Sequence, residues 1–122
     1  MEFLDKDLVS IQETRGLIRK AKEAQSKLAR MSQQDIDRIV KAISDAAYEN
    51  SEKLAKMANE ETGFGKWEDK VLKNVFAART VYESIKDTKT VGIVEENVEK
   101  RAFKIMVPVG VVAGLIPSTN PT

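Results

Sequence analysis

The sequence predicts an α/β chain: amphipathic helices over about residues 10–87, an extended ribbon over about 88–107, and a doubly buried strand with its following loop over 109–122. Three observations predict it. Apolar residues recur at helical spacing through the first part of the chain. The period changes at Thr88, where β-branched residues take over. Val109-Gly110-Val111-Val112-Ala113-Gly114-Leu115-Ile116 is then an unbroken apolar run between Pro108 and Pro117, as suits a strand covered on both faces of a parallel sheet.

Ser10 and Glu13 fit a capping box that would start the first helix, with Leu17, Ala21, Ala24 and Leu28 along its inner side. Ser32 with Asp35 offers a second cap, followed by the stripe Ile36, Ile39, Val40, Ile43 and Ala47. A third helix starts near Ser51, turns Leu54, Met57 and Ala58 inward, and stops at Gly63 and Gly65, since glycine takes the left-handed conformation that ends a helix. A fourth runs from about Lys66 to Lys86 with Val71, Val75, Ala78, Tyr82 and Ile85 on one side. Trp67, Tyr48 and Tyr82 read as packing anchors. The two glycines do not make a phosphate loop, because no apolar strand precedes them.

In the ribbon, Thr88-Lys89-Thr90-Val91-Gly92-Ile93-Val94 is the first strand, Glu95-Glu96-Asn97 a polar break, and Arg101 to Val107 the second strand. Phe103, Ile105 and Val107 alternate with Ala102, Lys104 and Met106, giving a face more apolar than a lone two-stranded ribbon hides. Gly110 and Gly114 in the last strand allow close backbone approach, by a cofactor or a packed helix. That strand needs neighbours on each side and the helices cover one face at most, so the chain is expected to be part of something larger or to have been truncated.

The 122 residues suffice for one ordinary domain, and 32% charged against 42% hydrophobic residues describe a folded, globular chain. Lys and Arg total 20 against 19 acids, which leaves no electrostatic footprint for a nucleic-acid partner. No apolar stretch approaches the roughly 18 residues of a membrane span. Met1-Glu2-Phe3-Leu4-Asp5-Lys6-Asp7 lacks the basic-then-apolar order of a signal peptide, and the chain has no Cys, so a cytoplasmic protein is expected. It also has no His. Thiol nucleophile, commonest general base and commonest metal ligand are all missing, and no metal site is expected.

The segment Val107-Pro108-Val109-Gly110-Val111-Val112-Ala113-Gly114-Leu115-Ile116-Pro117-Ser118-Thr119-Asn120-Pro121-Thr122 resembles the first nucleotide-fold strand of aldehyde dehydrogenases. Hydrolytic members tend to end it with Pro-Trp-Asn-Phe-Pro; Pro-Ser-Thr-Asn-Pro-Thr is similar to the coenzyme A-acylating branch. Glu60-Glu61-Thr62-Gly63-Phe64-Gly65, Glu68-Asp69-Lys70, Lys73-Asn74-Val75-Phe76-Ala77 and Ile85-Lys86-Asp87-Thr88-Lys89-Thr90-Val91-Gly92 resemble the same branch, in the same order.

The resemblance implies the N-terminal part of an NAD-binding domain, truncated before the reacting cysteine, with NAD as cofactor (NADP not excluded) and a small aldehyde and coenzyme A as substrates. It also implies a homo-oligomer formed through the β-ribbon. Family enzymes attack the aldehyde with a Cys thiolate, pass hydride to NAD, and release the acyl group to coenzyme A from a thioester. Carried over, Asn120 is the catalytic oxyanion donor, and Ile116, Pro117, Ser118 and Thr119 line the nicotinamide side of the cofactor site. Hydrolytic members have Asn where this chain has Thr119. Either the loop shifts to bring Asn120 round or Thr119 takes part of the role; ordinary turn chemistry is the plainer reading of both. With no thiol, the 122 residues alone are expected to be inactive. A stand-alone acylating enzyme, the aldehyde half of a bifunctional aldehyde-alcohol dehydrogenase, and a non-catalytic helix-and-ribbon interaction module all remain open.

Overall fold

The computed structural model describes residues 5–122. Of the leader-peptide reading at the N-terminus, residues 1–4 lie outside the described part. The chain orders as α1 (Lys6–Leu28), α2 (Gln33–Glu49), α3 (Ser51–Thr62), α4 (Trp67–Val75), a π-helical turn (Phe76–Val81), α5 (Tyr82–Ile85), β1 (Gly92–Asn97) and β2 (Ala102–Met106). It divides into two compact units. One holds the residues up to Met31 with Val91–Ala113, the other Ser32–Thr90 with Gly114–Thr122.

In the first unit, α1 begins earlier than Ser10. Asp5 is extended and its side chain accepts from the Asp7 backbone N–H, so the acid caps the helix and Ser10 lies inside it. The hydroxyl of Thr14 instead bonds back to the Ser10 carbonyl at 2.8 Å. None of α1 is buried, and Leu17 and Leu28 are exposed, so the stripe expected to face inward is open. Its Ala21, Ala24 and Leu28 line a groove with Val111 and Val112.

β1 and β2 form an antiparallel hairpin, the one sheet among the described residues. Ile93 pairs with Ile105 and Glu95 with Lys104, so Val94 is an extra residue between them: a β-bulge. The expected break at Glu95-Glu96-Asn97 is strand instead, stitched by the Lys104–Glu95 ion pair at 2.6 Å. The turn falls at 98–101, where the Asn97 side chain accepts from the Lys100 N–H at 2.8 Å. Phe103 and Ile105 stay 57% and 58% exposed, as expected of a face the ribbon cannot hide alone.

Residues 109–116 take no place in any sheet among the described residues and are exposed throughout; the neighbours that the doubly buried strand was expected to need are not supplied by these residues. A strand exists only through a hydrogen-bonded neighbour, and no described residue supplies one. Nor do Gly110 and Gly114 receive a close neighbour; nothing lies within 4 Å of where a Cβ would stand. Gly110 is needed for its backbone, at φ +105°.

In the second unit, the capping box of α2 is as expected. Ser32 accepts from the Asp35 N–H, and Asp35 accepts from the Ser32 N–H at 3.2 Å. Gly63 ends α3 in the left-handed region at φ 68°. The core is small: Ala55, Ala58 and Ala78. Ile43, Met57 and Ile85, expected inside, are exposed. Buried polar residues bind the helices instead. Ser44 Oγ donates to the Ala78 carbonyl at 2.6 Å, and Asn74 Nδ2 to the Ser51 carbonyl at 3.0 Å. Arg79 pairs with Asp45 at 2.7 Å and stacks over the exposed Tyr48 ring, while Lys56 lies over the half-buried Trp67.

Candidate functional site

Ile116, Pro117, Ser118, Thr119 and Asn120 fall in the second unit, in the loop that follows Gly114. Residues 117–120 form a turn closed by the Asn120 N–H donating to the Pro117 carbonyl at 3.2 Å. Ser118 and Thr119 are the two central residues of this turn, positions where short hydroxyl side chains are well tolerated. Ile116 is 75% exposed, and Ser118, Thr119 and Asn120 are exposed as well.

The loop is tied to α4. Lys70 Nζ donates to the Thr119 carbonyl at 2.9 Å, and Lys73 Nζ donates to the Thr122 carbonyl at 3.0 Å and to its Oγ1 at 3.1 Å. Thr122 Oγ1 in turn donates to Asn74 Oδ1 at 3.0 Å, and the Asn74 amide reaches the Ser51 carbonyl. Lys70 is only 7% exposed and Asn74 only 9%. Burial holds the Lys73 ammonium below its ordinary pKa, and the charge of Lys70 lowers it further.

Between loop and helix lies a cleft of about 370 Å³, lined by Phe64, Gly65, Lys66, Asp69, Lys70, Lys73, Thr119 and Asn120. Lysine outnumbers acid in it. Thr119 and Asn120 share its lining; Ile116, Pro117 and Ser118 do not line it. A second groove of about 290 Å³, lined by Val40, Leu54, Ala77, Val81 and Tyr82 among others, carries no charged residue and suits packing better than chemistry. No group of three or more acidic residues in the described part could hold a metal, and no described helix is long and apolar enough to cross a membrane.

Sequence reasoning missed Lys70, Lys73 and Asn74. A signal existed: Lys70, Asn74 and Ala78 repeat at four-residue spacing, and a lysine and an amide on the same helix face as a buried alanine mark a polar contact underneath.

Comparisons with known proteins place the chain as a whole. The succinate-semialdehyde dehydrogenase (acetylating) of Clostridium kluyveri is 47% identical over 93% of this chain, and the chain spans 24% of that protein. The bifunctional aldehyde-alcohol dehydrogenase of Escherichia coli is 38% identical over 94% of the chain, which spans 13% of it. The crystal structure of an acetylating aldehyde dehydrogenase from Geobacillus thermoglucosidasius superposes with a TM-score of 0.94 at 56% identity, covering 98% of this chain and 26% of its own. A probable aldehyde dehydrogenase from Listeria monocytogenes gives 0.93 at 66% identity, covering 96% of this chain and 26% of its own. The helices and two-stranded sheet described above thus match about a quarter of each solved enzyme. The aldehyde dehydrogenase family model matches residues 8–122, and the chain belongs to that family.

Proposed function

We propose that this chain is the N-terminal part of the NAD-binding domain of a coenzyme A-acylating aldehyde dehydrogenase. The intact enzyme interconverts a short-chain aldehyde and its acyl-CoA through a thioester on a cysteine outside these residues. The observation that carries the reading is the 47% identity to an acetylating relative along 93% of the chain. The many exposed apolar side chains, Val109, Leu115, Leu72 and Phe76 among them, support a chain that packs into a larger enzyme.

In this reading the cysteine thiolate adds to the aldehyde carbon; a C–S bond forms, and the carbonyl electron pair moves onto oxygen. Asn120 donates its side-chain N–H to that oxygen and stabilises the charge as it develops. NAD, when bound, accepts the hydride that leaves the same carbon, and a thioester remains. The thiol of coenzyme A then attacks the thioester, and the cysteine thiolate departs. What supports a place for this loop beside a flat cofactor ring that carries a carboxamide is its surface: exposed Ile116 and Pro117 are apolar, and exposed Ser118 and Thr119 carry hydroxyls that can hydrogen-bond. The apolar ribbon face supports assembly with a further copy, and the composition supports a cytoplasmic enzyme.

Assay of the full-length protein tests the reading. NADH should form beyond one equivalent per active site only when aldehyde, NAD and coenzyme A are all present, with acyl-CoA as product; sustained formation of NADH and free acid without coenzyme A would place the enzyme in the hydrolytic branch. The likeness to the bifunctional enzyme of E. coli favours a second reading, the aldehyde half of such a protein. Reduction of the aldehyde to alcohol by the same polypeptide would select it.

A further inference from the structure

We infer that Lys70 and Lys73 are positioning residues, two ammonium groups by which α4 holds Thr119 and Thr122, on either side of Asn120, and so sets where the Asn120 amide points. The inference rests on the reading of Asn120 as oxyanion donor.

The geometry around one peptide unit carries it. The carbonyl of Thr119 and the N–H of Asn120 belong to the same planar group. Lys70 holds that group by its oxygen at 2.9 Å, and the Pro117 carbonyl holds it by its nitrogen at 3.2 Å. With both polar atoms fixed, the plane cannot rotate, and the Cα of Asn120 is fixed with it. Beyond Pro121, Lys73 takes the Thr122 carbonyl and hydroxyl, and Asn74 accepts from that hydroxyl while gripping Ser51 in α3. Asn120 therefore hangs between two tethers that both lead to buried or half-buried parts of α4.

Stability alone explains Lys70 poorly. It is 7% exposed, and none of the ion pairs among the described residues includes it. Holding an ammonium in a part-buried bond to a neutral carbonyl costs desolvation free energy that an apolar side chain of similar length would not. What lysine adds over such a side chain is a charged donor aimed at one carbonyl, and that carbonyl is the one preceding Asn120.

A double-mutant cycle in the full-length enzyme tests this, with Lys70→Met and Asn120→Ala made singly and together. Misplacement of a catalytic group by about 1 Å costs on the order of a hundredfold, so Lys70→Met should lower kcat by roughly tenfold to a hundredfold. KM for NAD should hold within about threefold. In the Asn120→Ala background the same change should cost less than about twofold, since a tether has no effect once the amide it positions is gone. Equal losses in both backgrounds would overturn the inference while leaving the role of Asn120 intact. A silent Asn120→Ala would overturn both. Should Lys70→Met fail to fold, Lys73→Met at its half-buried position enters the same cycle with the same two outcomes.

Discussion

Ser44 on α2 donates its hydroxyl to the carbonyl of Ala78 in the π turn, at 2.6 Å and shielded from water. The two residues lie 34 positions apart, and with Asn74 and Ser51 they join helices whose apolar core is only three alanines. Ser44→Ala removes a donor from a buried carbonyl, a loss of about 1–3 kcal/mol. Thermal melting of the full-length protein should show it, with Ser44→Thr close to the parent wherever its added methyl is accommodated. An unchanged Tm for Ser44→Ala would mean that the bond contributes nothing.

Asn120→Ala should lower turnover by on the order of a hundredfold, about 3 kcal/mol of transition-state stabilisation, with NAD affinity far less affected. Thr119→Ala checks the register. If it is the crippling change and Asn120→Ala is nearly silent, the donor sits one position earlier; if neither matters, the loop is a turn and no more.

Acid should loosen α2. Asp45 is held below its ordinary pKa of 3.8, chiefly by the hydrogen bond from Lys41 and then by that from Arg79; Asp35 is held low by the Ser32 hydroxyl and backbone. A carboxyl whose folded pKa is depressed contributes stability above its ordinary value and loses it as pH falls through the lower folded value. The melting temperature should therefore decline below about pH 4. Asp45→Asn should flatten the acid limb of that curve, and identical limbs for parent and variant would refute the assignment.

Ile93 and Ile105 stand opposite each other across the ribbon and both are exposed. If that face pairs copies of the enzyme, Ile105→Asp in the full-length protein should shift light-scattering mass toward smaller species, because a charge would have to be buried in the contact. Unchanged mass would remove the ribbon from the assembly.

What could be foreseen from sequence follows the range of each interaction. Ser32 with Asp35, and Gly63 after Thr62, act within a turn of their own position, and both are found as their residue types demand. The family resemblance in the tail was equally legible, being a matter of local order. Asp5 was overlooked because Ser10 with Glu13 offers the same pattern one turn later. Lys70 was overlooked because a lysine on a helix reads as solvated until its partner is known, and Thr119 lies 49 residues away. Residues 109–116 show a related limit: an apolar run declares that it will be covered, without declaring by what.

The π turn at Phe76–Val81 has the effect of one residue inserted into a continuous helix. Each α-helical residue advances about 100° around the axis, so whatever follows the insertion is rotated by about that much against whatever precedes it. Val71 and Val75 keep the bearing set at Trp67, whereas Tyr82 and Ile85 take a new one, toward the groove they line with Val40. Apolar residues that count as a single stripe in the sequence therefore serve two different directions. Shortening the helix by one residue within Phe76–Val81 would restore the unbroken winding and turn Tyr82 away from α2.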